Sequence, residues 1–240
     1  MKRLAVPAVG LAILARAASA FGTPSDSVRP TDDEEETVTR GQAEFGIGLL
    51  TLPTAEVCIE RALGCSKGDY SVAVTAMPLF RRGSFAIGAG VMLGLTSSSD
   101  APRNDPPDTP RDHWRRYFTG EVTGRYYVPL TSVLDGWAGV STGLVVVSDT
   151  FQSQNGLTDQ ALVGPRGLII LTEGFALGVG VGITHALSDN WLFGGSLKAS
   201  AWALPTTPAK DPVGDSASLT GLVATFQLGV SFAYRSRLVF

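Results

Sequence analysis

The sequence predicts an all-β chain whose eight antiparallel strands run up and down around a transmembrane β-barrel. Three observations carry that prediction. Apolar side chains recur at every second position in eight separate segments, glycine, at 28 of 240 residues, fills much of the opposite row, and the connections between segments alternate between long and short. Period two marks a strand with two unlike faces, whereas a helix repeats every 3.6 residues. Charged residues are only 17% of the chain, too few to solvate the outside of so many strands.

The first segment, 43–52, sets Phe45, Ile47 and Leu49 against Glu44, Gly46 and Gly48. In 69–79 the rows are Tyr70, Val72, Val74, Ala76 and Ser71, Ala73, Thr75. Segment 84–95 opposes Phe85, Ile87, Ala89, Val91, Leu93, Leu95 to Ala86, Gly88, Gly90, Met92, Gly94. The fourth, 114–128, opposes Phe118, Val122, Tyr126, Val128 to Thr119, Glu121, Thr123, Arg125, and the fifth, 136–147, Ala138, Val140, Leu144, Val146 to Gly139, Ser141, Gly143. In 172–185, Phe175, Leu177, Val179, Val181 and Ile183 face away from Ala176, Gly178, Gly180, Gly182 and Thr184. Segment 190–204 places Trp191, Phe193 and Leu197 opposite Gly194, Ser196, Lys198 and Ser200. The last, 218–240, alternates almost to an aromatic carboxy-terminus, with Phe226, Leu228, Val230, Phe232 and Tyr234 continued by Leu238 and Phe240.

Stretches 53–68, 96–113, 148–171 and 205–217 read as long connections, and 80–83, 129–135 and 186–189 as short ones. Four long loops at one rim and three turns with both chain ends at the other are the layout of an outer-membrane barrel, its short turns in the periplasm. A soluble barrel of the lipocalin kind would turn the apolar rows inward and leave a glycine-rich exterior with little to solvate it. Facing lipid, the same rows leave small residues for the narrow interior of an eight-stranded barrel. A membrane helix over 167–187 is opposed by its period and its five glycines. The alternating Gly178, Gly180 and Gly182 lack the spacing and the following helix of a nucleotide-binding loop.

Lys2 and Arg3, an apolar run and Ala18-Ser19-Ala20 read as a secretory signal peptide over 1–20, cleaved after Ala20. Its removal takes three positive charges from a chain whose net charge is −3, and an acidic exported protein does not suit nucleic acid. Residues 21–42, with Asp26 and the run Asp32, Asp33, Glu34, Glu35, Glu36, have too few apolar groups to fold and read as an acidic disordered periplasmic tail. The barrel then occupies 43–240. Cys58 and Cys65, separated by six residues, are the only cysteines, and outside the cytoplasm they form a disulfide candidate that clamps a loop. No histidine accompanies them, so no metal site is expected, and no cofactor.

Leader, strand count, loop alternation and a terminal strand ending in Phe240 resemble the small OmpA/OmpX-type outer-membrane barrels of Gram-negative bacteria, over about residues 43–240. The resemblance implies residence in the outer membrane as a monomer, among its lipid and lipopolysaccharide. It also implies that the barrel-assembly machinery reads Tyr234, Leu238 and Phe240 as an assembly signal.

Row parity sends Glu44, Glu121, Arg125, Lys198, Gln227 and Arg235 into the lumen, where an unpaired charge costs several kcal/mol. By depth, Arg125 meets Glu44 near the periplasmic end and Lys198 meets Glu121 nearer the middle, a charge network that fills the barrel. Tyr70, Trp114 and Phe118 belong to an outer aromatic girdle, and Phe45, Phe85, Tyr126, Trp137, Trp191, Phe193, Tyr234 and Phe240 to a periplasmic one. Catalysis is not expected. His185 falls at the periplasmic end, away from outer-leaflet lipid A, and His113, beside Asp112, has no nucleophile at a working spacing. The expected role is structural or surface-interacting, with specificity in four long extracellular loops. The alternative is a narrow passive channel for small solutes or hydrophobic molecules.

Overall fold

In the computed structural model, residues 39–60, 64–95, 111–153, 167–210 and 219–237 are described. The leader, the acidic residues 21–38, Leu238 and Phe240 lie outside them. Eight strands follow in order: β1 (Thr39–Glu60), β2 (Gly64–Arg82), β3 (Phe85–Gly94), β4 (Arg111–Pro129), β5 (Leu134–Ser153), β6 (Gly167–Ala186), β7 (Trp191–Ala203) and β8 (Leu222–Arg237). Each pairs antiparallel with the next, and β8 pairs with β1, which closes an all-β barrel.

Register defines the closure. From Gly41 the partners run through Phe80, Ile87, Gly124, Val140, Val179, Ala199 and Phe226, and return to β1 at Thr51. One circuit therefore climbs from position 41 to position 51 of the same strand, and such a stagger tilts the strands by roughly 35–45°. The alternating rows keep their expected sides. Phe45, Phe85, Phe175, Leu177 and Leu228 are exposed on the outside, each at 63% or more, as only a lipid-facing surface tolerates at this density. At the turn end, Phe85 meets Tyr126 edge-on at 5.0 Å, and Trp191 packs at 5.1 Å against both Phe232 and Tyr234. Gly83, at φ 58°, opens the two-residue turn from β2 to β3, a backbone shape that strains any residue with a Cβ.

Four features depart from the sequence expectations. Pairing begins at Thr39, before the first alternating segment. The stretch 53–68 is no loop: β1 and β2 continue as a hairpin as far as the pair Glu60 and Gly64. Pro53 hid this extension, and it is accommodated where the register shifts between Leu52 and Glu56, a place where a missing N–H does no harm. The connection between β1 and β2 thereby shortens to 61–63, and strand also takes 111–113, 148–153 and 167–171 from the stretches read as long connections.

The third correction concerns the interior, which is not small and polar throughout. Leu50, Leu52, Tyr117, Val145, Val147, Trp202 and Val223 form a buried apolar plug in its outer half. Apolar contacts fill that end of the barrel at lower cost than unpaired polar groups would. Fourth, Trp137 is not part of the girdle. It points inward, with the Arg125 guanidinium carbon 4.1 Å from its ring centre. Gly182 makes the room: a Cβ there would lie 2.6 Å from the indole. Gly182→Val should therefore displace Trp137 and cost about 1–3 kcal/mol, as overpacking does. Urea unfolding of the reconstituted barrel measures this, and an unchanged midpoint would show that the indole has space to spare.

Candidate functional site

The lumen is where the charged side chains converge, in layers set by strand register. At the turn end, inward Arg81 on β2 donates from Nη1 to Asp135 Oδ2 on β5 at 2.7 Å and lies over the Tyr127 ring at 4.1 Å. One layer further in, Arg125 on β4 reaches across the barrel to Glu44 on β1, with Nη1 to Oε2 at 2.8 Å and Nη2 to Oε1 at 3.4 Å. This fork-to-fork pairing suits a planar guanidinium, and Trp137 covers its face. Next comes Lys198 on β7, whose Nζ is hydrogen-bonded to Glu121 Oε2.

Around Glu121 and Lys198 lies a cavity of about 80 Å³, bordered also by Thr75, Met77, Met92, Ser141, Ser196 and Gln227. It has room for a handful of waters, since one needs roughly 10–15 Å³. Above it the apolar plug fills the section, with Tyr117 and Trp202 ring centres 5.6 Å apart.

A fourth ion-paired group caps the plug. Arg115 donates from Nη1 to Asp69 Oδ2 at 2.9 Å and from Nε to Asp149 Oδ1 at 3.3 Å. The Tyr117 hydroxyl donates to the same Asp69 oxygen. Side chains of Arg115 and Asp149 have no exposure at all and that of Asp69 has 1%, so the charges compensate one another rather than relying on water. Tyr70, next to Asp69, points outward and is exposed, which sets this cap level with the outer edge of the apolar belt.

The structure thus brings together Arg125 with Glu44 and Lys198 with Glu121. Gln227 borders the cavity and has no charged partner among the described residues, and Arg235 lies at the turn-end rim, donating from Nη2 to the Asp189 carbonyl at 3.2 Å. Asp69, Arg115, Tyr117, Asp149 and Trp202 escaped the sequence reading, although each falls on the inward parity of its strand. Extending the rows past the ends of the apolar runs would have found them. His185 stands exposed in the outward row at the turn end, opposite Leu134 and Phe193, apart from the lumen. The side chains of His113, Cys58 and Cys65 lie outside the described residues, but the backbone register sets Cys58 directly opposite Cys65.

A closed barrel with lipid-facing aromatic and aliphatic rows and a filled, ion-paired lumen defines a small transmembrane β-barrel of the outer-membrane type. Its fold is shared with solved bacterial outer-membrane proteins. A major outer membrane protein of Thermus thermophilus matches at TM-score 0.54 and 13% identity, over 82% of this chain and 99% of that one. Neisserial surface protein A matches at TM-score 0.50 and 12% identity, over 82% of this chain and 96% of that one. No protein-family model and no curated protein matches the sequence. The outer membrane is the location that this fold and an apolar exterior fit.

Arg125→Ala should destabilise the barrel by about 3–5 kcal/mol by leaving Glu44 buried and unpaired, and Arg125→Ala with Glu44→Ala should recover most of the loss. Denaturant unfolding in lipid vesicles checks this double-mutant cycle, and equal stabilities of all four proteins would remove the ion pair from the account.

Proposed function

We propose that this protein is a non-conducting, non-catalytic outer-membrane barrel that serves a structural or surface-interaction role through its outward-projecting segments. The observation that carries the proposal is the plug. Trp202, Tyr117, Leu50, Leu52, Val145 and Val147, nearly or wholly buried, occupy the outer half of the lumen, and the Arg115 cluster sits on top of them. A path for solutes would need an unbroken polar lining, whereas the cavity around Lys198 ends against this apolar layer. Contact with other molecules then falls to the tall β1–β2 hairpin and the connections beyond the membrane, since binding residues collect on segments held by a rigid scaffold. On this reading lipopolysaccharide surrounds the outer girdle, and Tyr234, exposed at the periplasmic rim, belongs with Leu238 and Phe240 to the surface that the assembly machinery reads.

A disulfide between Cys58 and Cys65 fits the hairpin. Directly opposed residues of an antiparallel pair have Cα atoms about 4.5–5.5 Å apart, within the range a disulfide spans. The bond would hold the protruding strands together where the rest of the barrel no longer supports them.

Two measurements test these points. Purified protein in planar bilayers should give no defined conductance steps, and Trp202→Ala, by opening the plug, should introduce them. Steps of uniform size from the unmodified protein would instead favour the passive channel. Thiol alkylation of folded protein isolated under oxidising conditions should label neither cysteine until reductant is added, and labelling without reductant would remove the staple.

A further inference from the structure

One patch of the outward face breaks the apolar belt. On β6 the outward row is apolar from Ile169 to Ile183 except at Glu173, which stands exposed between Leu171 and Phe175. On β4 the outward row carries the exposed Arg116 between Trp114 and Phe118. Between these strands β5 presents Val146 and Ser148, through which the register runs from Phe118 to Glu173 and from Arg116 to Leu171. Among the described residues neither charge has an ion-pair partner.

The stagger of the barrel brings the two charges to one height. A circuit of eight strands climbs ten residues, so two strands climb about two and a half, and Glu173 lies two residues below Leu171, the position in line with Arg116. The same shift sets Trp114 level with Leu171, and Phe118 level with Phe175. Arg116 and Glu173 also lie close to the level of Tyr70, at the outer edge of the belt, where hydrocarbon gives way to headgroups. Leu171 and Ile169, 56% and 63% exposed, project beyond that edge, where acyl chains no longer cover them.

We infer that a second copy of this chain covers the patch, in a two-fold dimer that meets across β5. This departs from the monomer that the resemblance implies. Both copies enter the membrane in one direction, so the two-fold axis lies along the membrane normal and exchanges the β4 and β6 sides without changing height. Arg116 of one copy then faces Glu173 of the other, twice over, with Trp114 facing Leu171 above and Phe118 facing Phe175 below. The two barrels curve away from β5, and the gap that opens on either side suits the long side chains of arginine, glutamate and the aromatic residues. Charge decides between this occupant and lipid. Phosphates of the outer leaflet would attract Arg116 but repel Glu173, whereas the chain's own face satisfies both.

Sedimentation equilibrium of the purified protein in density-matched detergent tests this. The unmodified protein should sediment as a dimer. Arg116→Glu and Glu173→Arg should each weaken self-association about ten-fold or more, because two attractive contacts become two repulsive ones. An equimolar mixture of the two variants should dimerise as tightly as the unmodified protein, since each copy then offers the charge that the other needs, and that recovery shows both variants to be folded. Unmodified protein that stays monomeric at every concentration overturns the inference. So do single variants that associate as the unmodified protein does, or a mixture that remains monomeric. Association that appears only with added lipopolysaccharide also overturns it, because lipid would then hold Arg116.

Discussion

Closure is the constraint on which the rest of this structure depends. In hydrocarbon each backbone N–H and C=O must find its partner within the protein, so a sheet can cross the membrane only if its first strand also bonds its last. Here β1 meets that condition by pairing with β2 along one edge and with β8 along the other, from Arg40 to Thr51. Once the circuit closes with its ten-residue climb, two other properties follow. Outward positions face lipid along the belt and must be apolar, and inward positions share a cross-section so narrow that large and small side chains have to alternate around it.

That narrowness explains the placement of the glycines. The inward row of β6 is Gly178, Gly180, Gly182 because bulk arrives from neighbouring strands. A Cβ on Gly178 would lie 2.9 Å from the Lys198 side chain, and one on Gly182 would strike Trp137. On β5, Gly139 plays the same part beneath Arg125, at 3.0 Å from its Cγ. Ion pairs in such a space roughly break even against apolar filling, so their value lies in specificity. A one-residue slip of β1 would turn Glu44 toward lipid and leave Arg125 alone, whereas an apolar filler would tolerate the error more easily.

Row parity made most of this legible in the sequence. The sides on which Glu44, Glu121, Arg125 and Lys198 lie follow from alternation alone, and rough depth brings the right partners together because both pairs bridge well-predicted segments. The Asp69, Arg115 and Asp149 cluster was harder. Its members lie at the ends of three strands, past the apolar runs that reveal parity, and their meeting depends on the stagger of the whole barrel. Trp137 was misplaced for another reason: a tryptophan at a strand end was read by its depth, as a girdle residue, when its odd position on β5 already turned it inward. The β1–β2 hairpin was concealed by Pro53 and by a register shift, both of which break period two without ending the strand.

The four tryptophans of the chain stand in four different environments. Trp114 is partly exposed above the outer edge of the belt, Trp202 is sealed in the plug, Trp137 is stacked on a guanidinium in the lower lumen, and Trp191 projects into the inner girdle. Trp114 and Trp191 thus border lipid or solvent, Trp137 lines the cavity of the lumen, and Trp202 alone of the four is sealed from both. The protein carries its own set of optical depth markers, in which a lipid-borne quencher senses Trp191 while the emission of Trp202 reports on the interior alone.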